Sequence, residues 1–147
     1  MEAPNNARRL RDALRRLVLA HGTLKEATRP CGARLSLPHA YALLELLDAE
    51  PMTVSELSSR LAIDRTNVSR LCARMERSGE MTRGAHPEDG RAVVVALSAR
   101  GRALAKSVDE SSTAHFATLA GALKGQTESI IGALEVLANA MNEEQEE

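Results

Sequence analysis

Residues 53–97 change the period of their apolar residues partway along, and that change leaves few folds open to the chain. Up to Gly79 the apolar residues recur at the three-and-four spacing of helices with one buried side; beyond it they follow the period of two that suits strands. Each boundary has its own chemistry. Thr53-Val54-Ser55-Glu56 reads as a capping box, in which hydroxyl and carboxylate satisfy each other's free backbone donors. Val54, Leu57 and Leu61 form the buried stripe of that helix, and Leu61-Ala62-Ile63-Asp64 makes a turn. Asp64 then caps a second helix, 65–77, which Gly79 stops. Glu80-Met81-Thr82-Arg83 and Arg91-Ala92-Val93-Val94-Val95-Ala96-Leu97 predict two strands around a tip, 84–90, where Pro87 and Gly90 suit a loop. Helix, turn, helix, hairpin is a winged helix-turn-helix. The two helices taken alone leave an ordinary helical hairpin open, and the tip taken alone could be a solvated turn.

The second helix carries the functional signal. Val68, Leu71, Cys72 and Met75 share its inward stripe, so Thr66, Arg70, Ala73 and Arg77 face outward, flanked by Asn67, Ser69 and Arg74. That face has no acid, and its residue types donate to and accept from base edges or grip phosphate in a fork. Arg65, Thr66, Asn67, Ser69 and Arg70 occupy the first turns, where a recognition helix in a major groove meets bases. Arg74 and Arg77 are placed for phosphates. On the hairpin tip, Arg91 suits an adjacent minor groove, whose concentrated negative potential attracts arginine. Asp89 stands close enough to orient it, and His86 would meet phosphate or solvent. The pattern predicts a partner of double-stranded DNA.

A formal net charge of −1 argues against a nucleic-acid partner until its distribution is examined. Between Arg60 and Arg102 nine arginines stand against five carboxylates, a net of +4, whereas from Ala103 onward two lysines face eight carboxylates, a net of −6. DNA would meet a basic segment, and one made of arginine, which favours forked contacts over diffuse attraction.

Outside the wing the chain reads as helical, and the expected class is mainly α, with α+β content confined to the hairpin. Residues 5–28 set Leu10, Leu14, Leu17, His21 and Leu24 on one seam at alternating spacings of four and three, close to the period of helices that wrap a partner. A helix over 36–48, capped by Ser36 with Pro38 in its first turn, turns Ala40, Leu43, Leu44 and Leu47 inward. Ser98 caps a long helix to about residue 120 that carries Ala103, Leu104, Val108, Ala114, His115 and Leu119, and Gly121 and Gly125 break it. A last helix over 127–141 aligns Ile130, Ile131, Leu134, Leu137, Ala138 and Met141 before a disordered tail, 142–147. The expected organisation is an N-terminal dimerisation helix (1–35), a winged helix-turn-helix (36–98) and C-terminal dimerisation helices with an acidic tail (99–147). These outer helices present more apolar stripe than a small wing domain covers, which points to a homodimer through Leu10, Leu14, Leu17, Ile130, Ile131, Leu134 and Leu137. Packing of the same stripes on their own wing domain is the alternative.

At these residues the chain resembles the MarR family of bacterial transcriptional regulators. The wing signature of Asp-x-Arg, then Leu and Thr or Ser, stands here as Asp89-Gly90-Arg91 with Leu97-Ser98, and the family's helix-start motif appears as Leu35-Ser36-Leu37-Pro38-His39. The resemblance runs along almost all 147 residues. It implies a dimeric DNA-binding regulator, usually a repressor released by a small ligand, with 65–77 as recognition helix and Arg91 in the minor groove. Glu80 departs from the pattern, because the family more often has an apolar residue after the glycine.

Other chemistries are weaker in the sequence. Cys72 lies on a buried stripe, where cysteine usually acts as a small hydrophobe. Cys31 has Arg29 and Arg34 nearby to lower its thiol pKa, but the resemblance places peroxide-sensing cysteines in the first helix with tyrosine partners, and Tyr41 is the only tyrosine here. His21, Cys31, His39 and His115 have donors suited to zinc, as in metal-responsive relatives, yet no pair has ligand-like local spacing. No cofactor is expected, so a metal- or thiol-responsive regulator is the alternative within this fold. A winged helix that docks proteins without touching DNA is the alternative outside it. No Gly-rich phosphate loop, nucleophile elbow or HExxH supports an enzyme. Only Tyr41 and Phe116 are aromatic, against the stacking platforms of single-strand binders. No apolar run or secretory segment suggests a membrane, and two cysteines without paired spacing suit a reducing cytoplasm.

Overall fold

Local chemistry sets the ends of most elements. The computed structural model describes residues 3–22 and 35–145. In chain order these form α1 (Ala3–Gly22), α2 (Leu37–Asp48), β1 (Met52–Thr53), α3 (Val54–Leu61), α4 (Arg65–Arg77), β2 (Met81–Ala85), β3 (Val93–Leu97), α5 (Ala99–Ala122) and α6 (Thr127–Gln145). The Ser36 hydroxyl accepts the His39 amide at 3.3 Å to start α2. Thr53 and Glu56 form the reciprocal box that starts α3, each bond 3.1 Å. Ala62 adopts the left-handed conformation at φ 52 and ends α3, while the Ser58 hydroxyl closes the turn by donating to the Ile63 carbonyl at 2.5 Å. Asp64 Oδ1 accepts the Asn67 amide at 3.0 Å to start α4. Beyond Ser78, Gly79 takes φ 75, the region where a Cβ is costly.

The chain divides into two units, Met1–Ser112 and Thr113–Glu147. In the first, Leu57 of α3 and Val68, Leu71, Cys72 and Met75 of α4 are buried with Ala42, Leu43 and Leu46 of α2, Met81 of β2 and Val95 and Leu97 of β3. Both short helices therefore turn inward the stripes their spacing predicts. The hairpin pairs Met81 with Leu97 through Ala85 with Val93, and β1 adds a third strand, Met52 opposite Val95, giving the order β1-β3-β2.

Several expectations shift. The strands are 81–85 and 93–97 rather than 80–83 and 91–97, so the loop is 86–92. β1 is too short to show a period in sequence. On α2, Ala42 and Leu46 are buried with Leu43, whereas Ala40, Leu44 and Leu47 only half-bury against that core. On α5 the buried positions are Gly101, Ala105 and Val108, while Ala103 is exposed. Contact there demands small residues: a Cβ on Gly101 would stand 1.8 Å from the Glu80 carbonyl oxygen. α5 also runs through Gly121 to Ala122, since one helical glycine costs only about 1 kcal/mol. The break comes at Lys124 and Gly125, both left-handed. In the second unit α6 continues to Gln145, so 142–145 are helical rather than a disordered tail; Asn, Glu and Gln propagate a helix well enough once it has started. Of the seam expected over 5–28, Leu24 lies outside the described residues, as does Cys31.

Candidate nucleic-acid interface

α4 presents an exposed polar ridge with a groove along each flank. Thr66, Arg70 and Arg77 are exposed on the side opposite Val68, Leu71, Cys72 and Met75, with Ala73 half-buried among them. Toward the wing, Arg65 and Ser69 share a groove of about 470 Å³ with Ser55, Arg83 and Arg91. Toward the start of α2, Asn67, Arg70, Arg74 and Arg77 border a groove of about 830 Å³ floored by Ile63, Val68 and Leu71 and closed by Ser36 and Pro38. Arg91 and Arg65 thus face one cleft, which a sequence projection of α4 by itself does not reveal.

Ion pairs sort the arginines. Arg60 meets Glu45 at 3.3 Å, Arg83 meets Glu76, and Arg102 meets Glu50. Among the described residues, no carboxylate pairs with Arg65, Arg70, Arg74, Arg77 or Arg91. The ridge and the wing thus keep their cations, as does Arg100 at the start of α5. Arg83, whose role the sequence did not suggest, ties β2 to α4 through Glu76 and so holds the hairpin beside α4.

Asn67 is more constrained than expected. Its side-chain amide donates to Asp64 Oδ2 at 2.5 Å, leaving its carbonyl oxygen and its second N–H for any outside partner. The Asn67 backbone amide, then that side-chain bond, hold the Asp64 carboxyl below the usual carboxylate range. Beneath the ridge, burial pushes the Cys72 thiol up despite the opposing charge of Arg83. A thiol kept protonated in an apolar core is inert.

In the loop, Asp89 Oδ1 accepts the backbone amide of Arg91 at 3.1 Å. Asp89 therefore holds Arg91 through its backbone amide. The ring of His86 turns into the loop, its Nδ1 accepting the amides of Glu88 and Asp89, each at 3.1 Å.

The root of the wing explains Glu80. Its side chain is buried and meets His39 Nε2 at 2.8 Å. Its amide donates to the Met75 carbonyl and its carbonyl accepts from Ser98, both at 2.9 Å. The Ser98 hydroxyl in turn donates to the Gly79 carbonyl at 2.5 Å and accepts the Gly101 amide at 3.0 Å, capping α5. One acidic residue is thus surrounded by α2, α4, β3 and α5. Glu50 supports the same end of β3 by accepting the Leu97 amide at 2.8 Å.

The zinc candidates have partners of their own. His21 Nε2 lies 2.6 Å from the Tyr41 hydroxyl, His39 is bound to Glu80, and His115 sits edge-on to Phe116. Among the described residues, no three His, Cys, Asp or Glu cluster as metal ligands. Of the residues proposed for dimer contact, Leu10, Leu17, Ile131 and Leu134 are exposed, and Leu14, Ile130 and Leu137 half-buried. No described helix is long and apolar enough to cross a membrane.

Comparison with known proteins places this geometry. Residues 35–92 match the model of the MarR family. The HTH-type transcriptional regulator TtmR of Methylorubrum extorquens is 35% identical over 75 residues, covering 51% of this chain but only 38% of TtmR. Among solved structures, Streptococcus pneumoniae FabT in complex with DNA has a TM-score of 0.75 at 18% identity, covering 95% of this chain and 99% of FabT. Bordetella bronchiseptica BpsR, whose DNA binding is regulated by 6-hydroxynicotinic acid, has a TM-score of 0.74 at 23% identity, covering 86% and 91%. At such identities the structural likeness shows the winged-helix fold.

Proposed function

We propose, from the match of residues 35–92 to the MarR family model and the likeness to TtmR, that the chain is a MarR-type, sequence-specific regulator of transcription that binds duplex DNA as a homodimer. The observation that carries this reading is the acid-free ridge of α4, whose arginines lack carboxylate partners among the described residues, whereas Arg60, Arg83 and Arg102 are paired. Thr66, Asn67, Ser69 and Arg70 read base edges, Arg65, Arg74 and Arg77 hold phosphates, and Arg91 enters the minor groove. A major groove admits a single α-helix such as α4. FabT, with its DNA, supports the same use of this fold.

Exposed Leu10 and Leu17 on α1, and Phe116, Leu119, Ile131 and Leu134 in the second unit, support a dimer that covers them. A two-fold pair would meet a pseudo-palindrome with half-sites one helical turn apart. We read the protein as a repressor released by a small acid. BpsR supports that class of effector, and the larger groove offers three arginines over an apolar floor. Such a ligand releases DNA only if it binds the DNA-free arrangement better than the bound one.

Titration of a labelled duplex at several salt concentrations tests the reading. Affinity should fall with a log–log slope of about −0.9 per phosphate neutralised. Absence of duplex binding even in dilute buffer would contradict it, and binding to a protein without DNA competition would point to a docking module.

A further inference from the structure

We propose that His86 is the positioning residue of the wing, its neutral imidazole folding the loop 86–92 so that Arg91 is presented to DNA; this rests on the DNA-binding reading above. The two bonds at Nδ1 come from backbone amides, those of Glu88 and Asp89. A nitrogen that accepts from N–H carries no proton, so the ring's single proton must sit on Nε2. The backbone amide of His86 donates across the loop to the Ala92 carbonyl at 3.0 Å, so the same residue also joins the loop's two ends.

Asp89 completes the arrangement. Its carboxylate accepts the Arg91 amide and its carbonyl accepts the Ala92 amide, each at 3.1 Å. The amides of Glu88, Asp89, Arg91 and Ala92 are thus all satisfied by His86 or Asp89, and Pro87 has none to satisfy. Arg91 has its backbone direction set by Asp89, and Asp89 has its own amide set by the imidazole. A loop of this length, exposed at most of its residues, has little packing to order it otherwise.

Nδ1 of histidine is separated from Cα by the same number of bonds as Oδ1 of asparagine. His86 therefore occupies the role that Asn or Asp usually takes in a turn, with its side-chain acceptor reaching amides two and three residues onward. Asparagine should reproduce the acceptor. Glutamine should not, because its carbonyl sits one bond farther out, although its amide keeps a donor near the position of Nε2.

The experiment compares wild type, His86→Ala, His86→Asn and His86→Gln for duplex affinity, with Arg91→Ala as reference. Ala and Gln should each weaken binding about tenfold, as the loss of two hydrogen bonds would, and Asn should bind within about twofold of wild type. Glutamine binding like wild type while asparagine fails would overturn the proposal and make His86 a direct DNA contact. A second arm needs no DNA: nitrogen-15 spectra of the free protein should show the Nε2–H tautomer, with the Glu88, Asp89 and Arg91 amide signals displaced in Ala and Gln but retained in Asn. An Nδ1–H tautomer overturns the proposal by itself. If the wild type binds no duplex, the functional reading fails while this arm still decides the role of His86.

Discussion

Arg70 and Arg77 are chemically identical and lie on the same ridge, yet the proposed reading gives them different tasks. Arg70 stands in the second turn of α4, where that reading puts base edges, and Arg77 is its last residue. Arg70→Ala should cost about 1–3 kcal/mol of binding at defined base positions, whereas Arg77→Ala should weaken all sequences alike and lower the salt slope by about one. Binding to a panel of single-base operator variants checks this, and equal, uniform losses from both would contradict it. Asp64 makes a pH prediction. Its carboxyl is held low in the folded chain by the Asn67 amide and side chain, so its ionised form stabilises the fold at pH values above the unfolded carboxyl value of about 4. That contribution is lost as pH falls through the unfolded and then the lowered folded value. Asp64→Asn keeps an N-cap acceptor but does not titrate. The stability of wild type relative to Asp64→Asn should therefore decline as acid is added in denaturant melts, and a constant difference would refute the assignment. Residue types and spacing made the caps at Thr53 and Asp64 legible. They did not show which amide a side chain would choose, so the duties of Asn67, His86 and Asp89 emerged only in three dimensions.

At the scale of elements, the junction of wing and helices depends on two features that apolar periodicity cannot register. Gly101 admits the Glu80 carbonyl to the surface of α5, and any Cβ there collides with backbone rather than with a side chain that could move. Gly101→Ala should destabilise by about 1–3 kcal/mol or more, read as a lower urea midpoint. An unchanged midpoint would mean that α5 is free to slide. Glu80 and His39 form the second feature, a pair whose side chains are 8% and 18% exposed. Replacing either by an apolar residue leaves a buried polar partner unsatisfied, at about 1–3 kcal/mol, whereas replacing both should cost less than the sum. Additive losses in that cycle would show the contact to be incidental. The departure of Glu80 from the family pattern was visible in sequence; its compensation 41 residues earlier was not, because nothing local links the two. Strongly periodic elements were the most legible, above all α4, whose four buried residues follow directly from their spacing. The two-residue β1 and the true end of α6 were not, since one is too short to have a pattern and the other continues through polar residues that propagate a helix without an apolar stripe to mark it.

For the whole molecule, charge and apolar surface point the same way. The basic segment 60–102 surrounds the ridge and wing, the acids gather after Ala103, and large apolar side chains stay exposed on α1 and in the second unit. A regulator that recognises DNA only through one ridge and one wing would bind weakly, and a two-fold copy doubles the contacts at fixed spacing. Placing a charge at Leu17 or Ile131 should therefore yield monomer in sedimentation and abolish tight operator binding together, while leaving the winged helix folded. Loss of one property without the other would separate dimerisation from recognition. The most direct test of the central claim is selection of bound duplexes from a random pool by the intact protein. The account predicts an enriched motif of two inverted half-sites with centres about 10–10.5 base pairs apart. Enrichment of a single unsymmetrical site, or of no sequence at all, would contradict it.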